Sequence, residues 1–567
     1  MFRRRVTIAL LAGLGLAATS ATASAAPAGT GGAGVPALSR PALTGNLLVL
    51  LDRTAATSAA VGSIKAVLSR SGARFAGRSV PEIGLVTVRP PAGMRPAALA
   101  GMLRLLPGVA SVEPERRDVP RAIPNDPALT AADPFTGVVQ WYLARAGFYR
   151  AWSITHGAGA LLGVIDTGID VTHPDLRSKL AVPPIDQQDP SDDTGPAGTD
   201  QVGHGTHVAS LACAATDNHL GMAGAGYDCR LVIEKSDFSD SSIANSIVDA
   251  TKRHVEAINM SFGPSMATAG AAPAAEVRAL DYAAAHKVVL VAAAADYPGS
   301  EEGDPANVVQ PPGTGPNVNA GLGLDVTAAD FSGARASFAG FGSEISLAAY
   351  GTVVSGEFAE PGAGPEPKPG LVGAFPGALT QLELSPTPCQ CRTSLGAEDR
   401  YAYLQGTSMA APQVAATGAM MRVLNPYASL RDVLRLLKQT ATRAEGWSSN
   451  LGWGILNAGA ALDAIRHLDR LAPVSRLYAP ARTRGLTATL TWSGHDQTRP
   501  GLIASGVDHY DVYRVGAGAR PLLLARTRRH SLRFTGRRGS RYSFYSVAVD
   551  RAGNRERHPV RAVTVVG

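Results

Sequence analysis

Four short runs, at 161–165, 231–234, 257–260 and 288–293, are apolar almost without interruption. A strand with one face in water alternates apolar and polar side chains, whereas a strand covered on both faces reads as a continuous apolar run. Helical segments separate these runs. Residues 141–463 are therefore expected to form an α/β fold of three layers, a doubly wound and mostly parallel sheet between two layers of helices. In such a fold the carboxyl ends of strands and the adjoining helix N-termini line one crevice, so residues far apart in sequence can meet there.

The flanks read differently. Strand patterns at 47–51, 83–88 and 109–112 alternate with helical patterns at 57–71 and 95–106, which makes a small two-layer α+β domain. A charged, proline-bearing stretch at 113–124 follows and reads as a linker. Beyond residue 470 come aromatic and β-branched runs at 487–492, 510–515 and 542–549, separated by turns that contain Gly. This pattern predicts an antiparallel β-sandwich. Within the body, 356–399 is rich in Pro and Gly and is expected to be a long surface excursion.

The chain of 567 residues is 45% hydrophobic and 17% charged, which favours folding over disorder. Its one long apolar run, 6–18, has about 13 residues and is too short to span a bilayer. Arg3, Arg4 and Arg5 precede the run and Ala23-Ser24-Ala25 follows it. That order of charge, apolar core and small residues is a signal peptide over 1–26, so the protein is expected to be secreted. The Arg pair also fits the twin-arginine route. Residues 125–470 carry 21 basic and 36 acidic side chains, while 471–567 carry 17 Arg, no Lys and 5 acidic residues. Residues 27–124 are also basic, with 12 basic against 5 acidic. The Arg residues are scattered rather than clustered, so attraction within the chain is a better reading than nucleic-acid binding.

Three segments of the body carry reactive groups. Val164-Ile165-Asp166-Thr167-Gly168 places an acid at the end of a buried strand. Gly203-His204-Gly205-Thr206-His207 places an imidazole at the mouth of a helix, and Gly406-Thr407-Ser408-Met409-Ala410-Ala411-Pro412 places a hydroxyl at a helix start. A serine hydroxyl is a weak nucleophile until an imidazole takes its proton. A buried carboxylate orients that imidazole and stabilises its cation. A serine at a helix start also has its own N–H and the helix dipole facing a developing oxyanion.

In the order Asp166, His204, Ser408 these segments resemble the subtilisin-like serine proteases, over about 125–463. Ile258-Asn259-Met260-Ser261-Phe262-Gly263 is similar to the family's substrate-pairing strand, and Gly452-Trp453-Gly454-Ile455-Leu456-Asn457-Ala458 to its closing segment. The resemblance implies a serine endopeptidase acting on polypeptides, with Ser408 as nucleophile, His204 as general base and Asp166 as orienting carboxylate. Ser261, Phe262 and Gly263 would bind substrate as an added strand. It implies no organic cofactor, no nucleic-acid partner and a monomer. Residues 45–115, with Pro107-Gly108-Val109-Ala110-Ser111-Val112-Glu113, resemble the family's inhibitory prodomain, which would be cut off between 119 and 126. The last hundred residues, with Ser505-Gly506-Val507 and Asp550-Arg551-Ala552-Gly553-Asn554, resemble a fibronectin-III-like module.

One position departs from the family. Where it carries an oxyanion-hole Asn after an apolar strand, this chain has Ala294-Ala295-Asp296-Tyr297. An ionised Asp296 would repel the oxyanion, and a lost donor there costs about 3–4 kcal/mol. Three accounts follow: Asp296 is held neutral and donates as an acid, the enzyme is slow, or the chain is a secreted binding or adhesion protein on a weakened protease fold. The resemblance also implies a structural calcium at Asp175 and Asn218, with Thr216-Asp217-Asn218-His219-Leu220-Gly221 as its loop. Cys213 and Cys229 enclose that loop and suit a disulfide, whereas Cys389 and Cys391 either pair or stay reactive.

Overall fold

Leu47, Val49 and Leu51, every second residue of β1 (Ala42–Leu51), are buried. They pack with Ile64 and Leu68 of α1 (Thr57–Ser71) and with Leu99 and Leu103 of α2 (Pro96–Arg104), which starts on a proline. Strands β2 (Arg74–Phe75), β3 (Leu85–Arg89) and β4 (Val109–Arg117) complete an antiparallel sheet in the order β2-β3-β1-β4. The computed structural model describes residues 42–567 except 53–56, 77–79, 81–82, 118–122, 190–194, 265–271, 300–302, 355–369, 387, 443–445 and 517–519. The signal segment at 1–26 and the first half of the expected cleavage segment, 119–122, lie outside the described residues.

The body is built on a seven-stranded parallel sheet. In chain order its strands are β5 (Leu161–Asp166), β6 (Ile185–Asp186), β7 (Arg230–Lys235), β8 (Ala257–Met260), β9 (Val289–Ala293), β10 (Gly323–Ala329) and β11 (Leu347–Tyr350). They lie in the order β11-β10-β9-β8-β5-β7-β6. Alternate side chains enter two separate cores. Leu162, Val164, Ile233 and Val291 point to one, and Ile165, Val232, Ile258 and Leu290 to the other. Both faces are therefore dry, which is why the runs carry no polar alternation. On the first side lie α3 (His204–Cys213) and the central helix α4 (Thr407–Leu424), which pack against each other.

Part of the 356–399 segment is not a surface excursion. Leu371, Val372, Ala374 and Phe375 are buried in and after β12 (Leu371–Ala374), which pairs antiparallel with β14 (Glu398–Leu404), itself flanked by β13 (Arg392–Leu395). This sheet covers α3: His207 Nε2 lies 3.0 Å from Leu371 O and 3.1 Å from Ala402 O, and a Cβ at Gly373 would sit 2.5 Å from the His207 ring. His207 is thus a buried structural residue.

After the body the chain forms two antiparallel sheets. One comprises β15 (Val474–Tyr478), β16 (Thr487–His495) and β19 (Ser531–Thr535). The other has the order β18-β17-β20-β21, from β17 (Val507–Val515), β18 (Leu522–Thr527), β20 (Arg541–Asp550) and β21 (Ala562–Val565). Trp492, Tyr510, Val512 and Phe544 fill the space between them. The body, ending at Leu468, is one compact unit; the N-terminal domain and the sandwich from Asp469 together form the other.

Candidate active site

Asp166 is the last residue of β5 and is fully buried. Its Oδ1 accepts the backbone N–H of Thr167 and the Nδ1–H of His204, each at 2.8 Å. His204 opens α3, so the strand end and helix mouth meet through this contact. Their approach depends on Gly205, where a Cβ would lie 2.3 Å from Gly168 O. A residue not singled out from the sequence holds the helix start. Asp200 Oδ1 accepts from Gly203 N at 2.8 Å and from Thr167 Oγ1 at 2.9 Å, while Oδ2 accepts from Thr206 N and Oγ1 at 2.8 and 2.7 Å. Asp200 thus caps α3 and ties the acid turn to the imidazole. Burial disfavours the His204 cation, but the charges of Asp166, Asp200 and Asp296 outweigh it, and the net shift of the imidazole is upward. With Nδ1 donating to Asp166, Nε2 is the nitrogen left to exchange a proton.

Ser408 is the second residue of α4. Pro412, four residues on, has no N–H to give to Ser408 O. Ser261 Oγ fills that vacancy, donating to Ser408 O at 3.0 Å, while Ser408 Oγ donates to Ser261 O at 3.2 Å. The Ser408 segment is therefore fastened to the residue that follows β8. Asn259 Nδ2 in turn donates to Ser261 Oγ at 2.9 Å, and Phe262 packs on Phe238 with ring centroids 5.1 Å apart. Ser261, Phe262 and Gly263 thus leave the sheet beside Ser408.

Asp296 lies at the same helix start, near enough to His204 for their charges to interact. Its Oδ1 contacts Thr407 N at 2.7 Å and Thr407 Oγ1 at 2.8 Å, and a Cβ at Gly406 would come within 2.8 Å of its Oδ2. The Thr407 hydroxyl has one proton and also lies 2.5 Å from Ala294 O, which can only accept. That single proton is therefore shared between Ala294 O and Asp296 Oδ1. Burial pushes this carboxyl up to about 6, against the opposing pull of the Thr407 donors and of His204.

Asp175 and Asn218 are also neighbours. Asn218 Nδ2 donates to Asp175 Oδ1 at 2.8 Å, and Tyr401 OH and Met222 N donate to Oδ2 at 2.8 and 3.1 Å. Asp126, not anticipated as a ligand, is fully buried on the other side of the loop, where its carboxylate accepts the N–H of Asp217 at 2.9 Å. Burial, with the Asp175 charge as a smaller contribution, raises Asp126 to about 6 against its backbone donors. Asp175 and Asn218 offer oxygens of the kind that suits a hard divalent cation, though Asn218 Oδ1 now accepts the Leu220 N–H at 2.8 Å and would have to leave it to face Asp175. Cys213 is bonded to Cys229 across this loop, and Cys389 to Cys391.

The profile described as the subtilase family matches residues 157–454. Thermitase from Thermoactinomyces vulgaris is 28% identical over 336 residues, 58% of this chain and 98% of that protein. The thermophilic serine proteinase of Bacillus sp. (strain AK1) is 29% identical over 314 residues, 54% of this chain, which spans only 63% of that relative's length. Among solved structures, a Pseudoalteromonas arctica protease aligns over 61% of this chain and all of its own, with 25% identity and a TM-score of 0.47.

Proposed function

The chain belongs to the subtilase family of serine proteases, and from that membership we propose that it is a secreted serine endopeptidase working through Asp166, His204 and Ser408. The observation that supports this reading is the buried 2.8 Å contact of His204 Nδ1 with Asp166, together with the packing of α3 against α4, the helix whose second residue is Ser408. The Ser408 hydroxyl turns from Ser261 O toward the imidazole and attacks the scissile carbonyl as His204 Nε2 takes its proton. Asp166 stabilises the resulting imidazolium. The oxyanion is met by the Ser408 N–H and by neutral Asp296, whose proton moves to the oxygen facing the pocket. His204 then protonates the leaving amine, and water, deprotonated by the same nitrogen, hydrolyses the acyl-enzyme. Substrate lies along Ser261 to Gly263 as an added strand.

The same reading assigns 27–124 as an inhibitory prodomain with its linkers, removed by self-cleavage, 125–470 as the catalytic domain and 471–567 as a fibronectin-III-like module. A structural calcium would be held by Asp175 and Asn218, where it would pin the 216–221 loop and take no part in the chemistry. Fluorophosphonate labelling of the secreted chain tests the core of the proposal. Capture at Ser408 that disappears in His204→Ala supports it. A folded mature chain that resists labelling would refute it in favour of a binding protein on a protease scaffold.

A further inference from the structure

The N-terminal domain and the sandwich sit in one compact unit, and specific groups join them. Asp52, just after β1, is held by its N–H to Gly108 O at 2.9 Å, so it forms one rigid edge with Val109 and Ala110 at the start of β4. Opposite that edge is His530, in the turn between β18 and β19. His530 Nε2 lies 3.6 Å from Asp52 Oδ2, and each side chain keeps only about a quarter of its surface exposed. His530 is itself fixed. Its Nδ1 lies 3.3 Å from Trp492 O, its carbonyl accepts the Trp492 N–H at 3.0 Å, and its ring lies edge-on to Tyr510 at 5.4 Å.

A cavity of about 190 Å³ runs along this contact, walled by Asp52, Val109 and Ala110 on one side and by Tyr510, Arg528 and His530 on the other. Two further effects cross the same boundary. Burial and the Asp52 charge push the Tyr510 phenol up, and Arg104 of α2 adds to burial in pushing His495 of β16 down. Helix α2 packs directly on β16. Residues 27–124 and 471–567 are both basic, so non-specific attraction would not bring them together. The contact instead sets Asp52, one of the few acids of the first, against His530 of the second, while Arg528 beside them pairs with Asp508 of its own sandwich; this is local complementarity against a repulsive background.

We propose that the C-terminal sandwich is a docking platform for the N-terminal domain, so that cutting the 118–122 linker leaves that domain seated on the sandwich. This gives the C-terminal module a task in retaining the inhibitor. It rests on the precursor reading only in requiring that such a cut occurs.

The experiment uses the full chain carrying Ser408→Ala, with the recognition sequence of an added site-specific protease placed in the 118–122 linker. After nicking, the release rate of the N-terminal fragment is measured by gel filtration and rapid dilution. Asp52→Arg and His530→Glu should each speed release at least fivefold, and the double variant should return to within twofold of the parent. In the parent, hydrogen exchange around Trp492, Tyr510 and His530 should quicken once the fragment is stripped. Single variants without effect, effects that multiply in the double variant, or exchange unchanged by stripping overturn the proposal. Failure of the Ser408 chain to cut itself would overturn the precursor reading alone, because here the added protease makes the cut.

Discussion

Replacing Asp296 by Asn asks whether a neutral acid serves the oxyanion. The exchange is nearly isosteric: Asn Oδ1 can keep the Thr407 N contact now 2.7 Å long, and its NH₂ takes the place of Oδ2 beside Gly406. With the carboxyl pushed up to about 6, roughly half of it is neutral at pH 6, about a tenth at pH 7 and about a hundredth at pH 8. Supplying the proton at pH 7 then costs about 1.4 kcal/mol, less than the roughly 3–4 kcal/mol lost without any donor, so the neutral route wins. The wild-type chain should show this as a fall in kcat/KM of about fivefold from pH 6 to 7 and about tenfold from pH 7 to 8, which the Asn variant escapes. The requirement for neutral His204 is common to both enzymes and largely cancels in their ratio. Losing the Asp296 charge also lowers His204, which adds to the gain in the same direction. The expected ratio of Asp296→Asn to wild type in peptide-amide hydrolysis is therefore about 2 at pH 6, about 10 at pH 7 and about 100 at pH 8. A ratio that stays flat across this range, or a slower Asn variant, would show that Asp296 does not act as a proton-bearing donor.

Three other perturbations follow from the same geometry. Replacing Cys213 and Cys229 with Ala opens a loop of 16 residues, for which chain entropy predicts a loss of about 3 kcal/mol, and calorimetry should show a Tm several degrees lower. Chelation should lower the Tm of the processed protein, and Asp175→Asn should abolish that shift; equal Tm values with and without chelator would remove calcium from the loop. Burial raises Glu234 to about 8, with the Gln187 amide opposing and the Asp249 charge assisting. The folded state thus holds a proton that the unfolded chain releases near pH 4.5, so stability is full below that pH and declines as pH rises toward 8. Glu234→Gln should flatten the decline and raise Tm at pH 8 by about 2–4 °C relative to wild type, with little change at pH 4.5; parallel pH curves for the two proteins would contradict this.

Local pattern was enough to read the parallel sheet, because residues such as Val164 and Ile165 enter different cores and must both be apolar. It also marked Asp166, His204 and Ser408, whose neighbours are small for a steric reason visible at Gly205 and Gly406. The rest was decided by partners distant in sequence. Asp200 looks like any loop acid until α3 is found resting on it, and Asp126 until the 216–221 loop closes over it. The 371–375 stretch, in a segment rich in Pro and Gly, is buried because it packs over α3, with Leu371 O against His207 and Ala374 N on Ser210 Oγ. The raised carboxyl of Asp296 follows from its burial beside Thr407, which overcomes the donors it meets there. Periodicity records which face of an element is dry, since that depends on its own residues. Hydrogen-bond partnership and protonation depend on which atoms from elsewhere arrive within 3 Å, and only the folded chain supplies those.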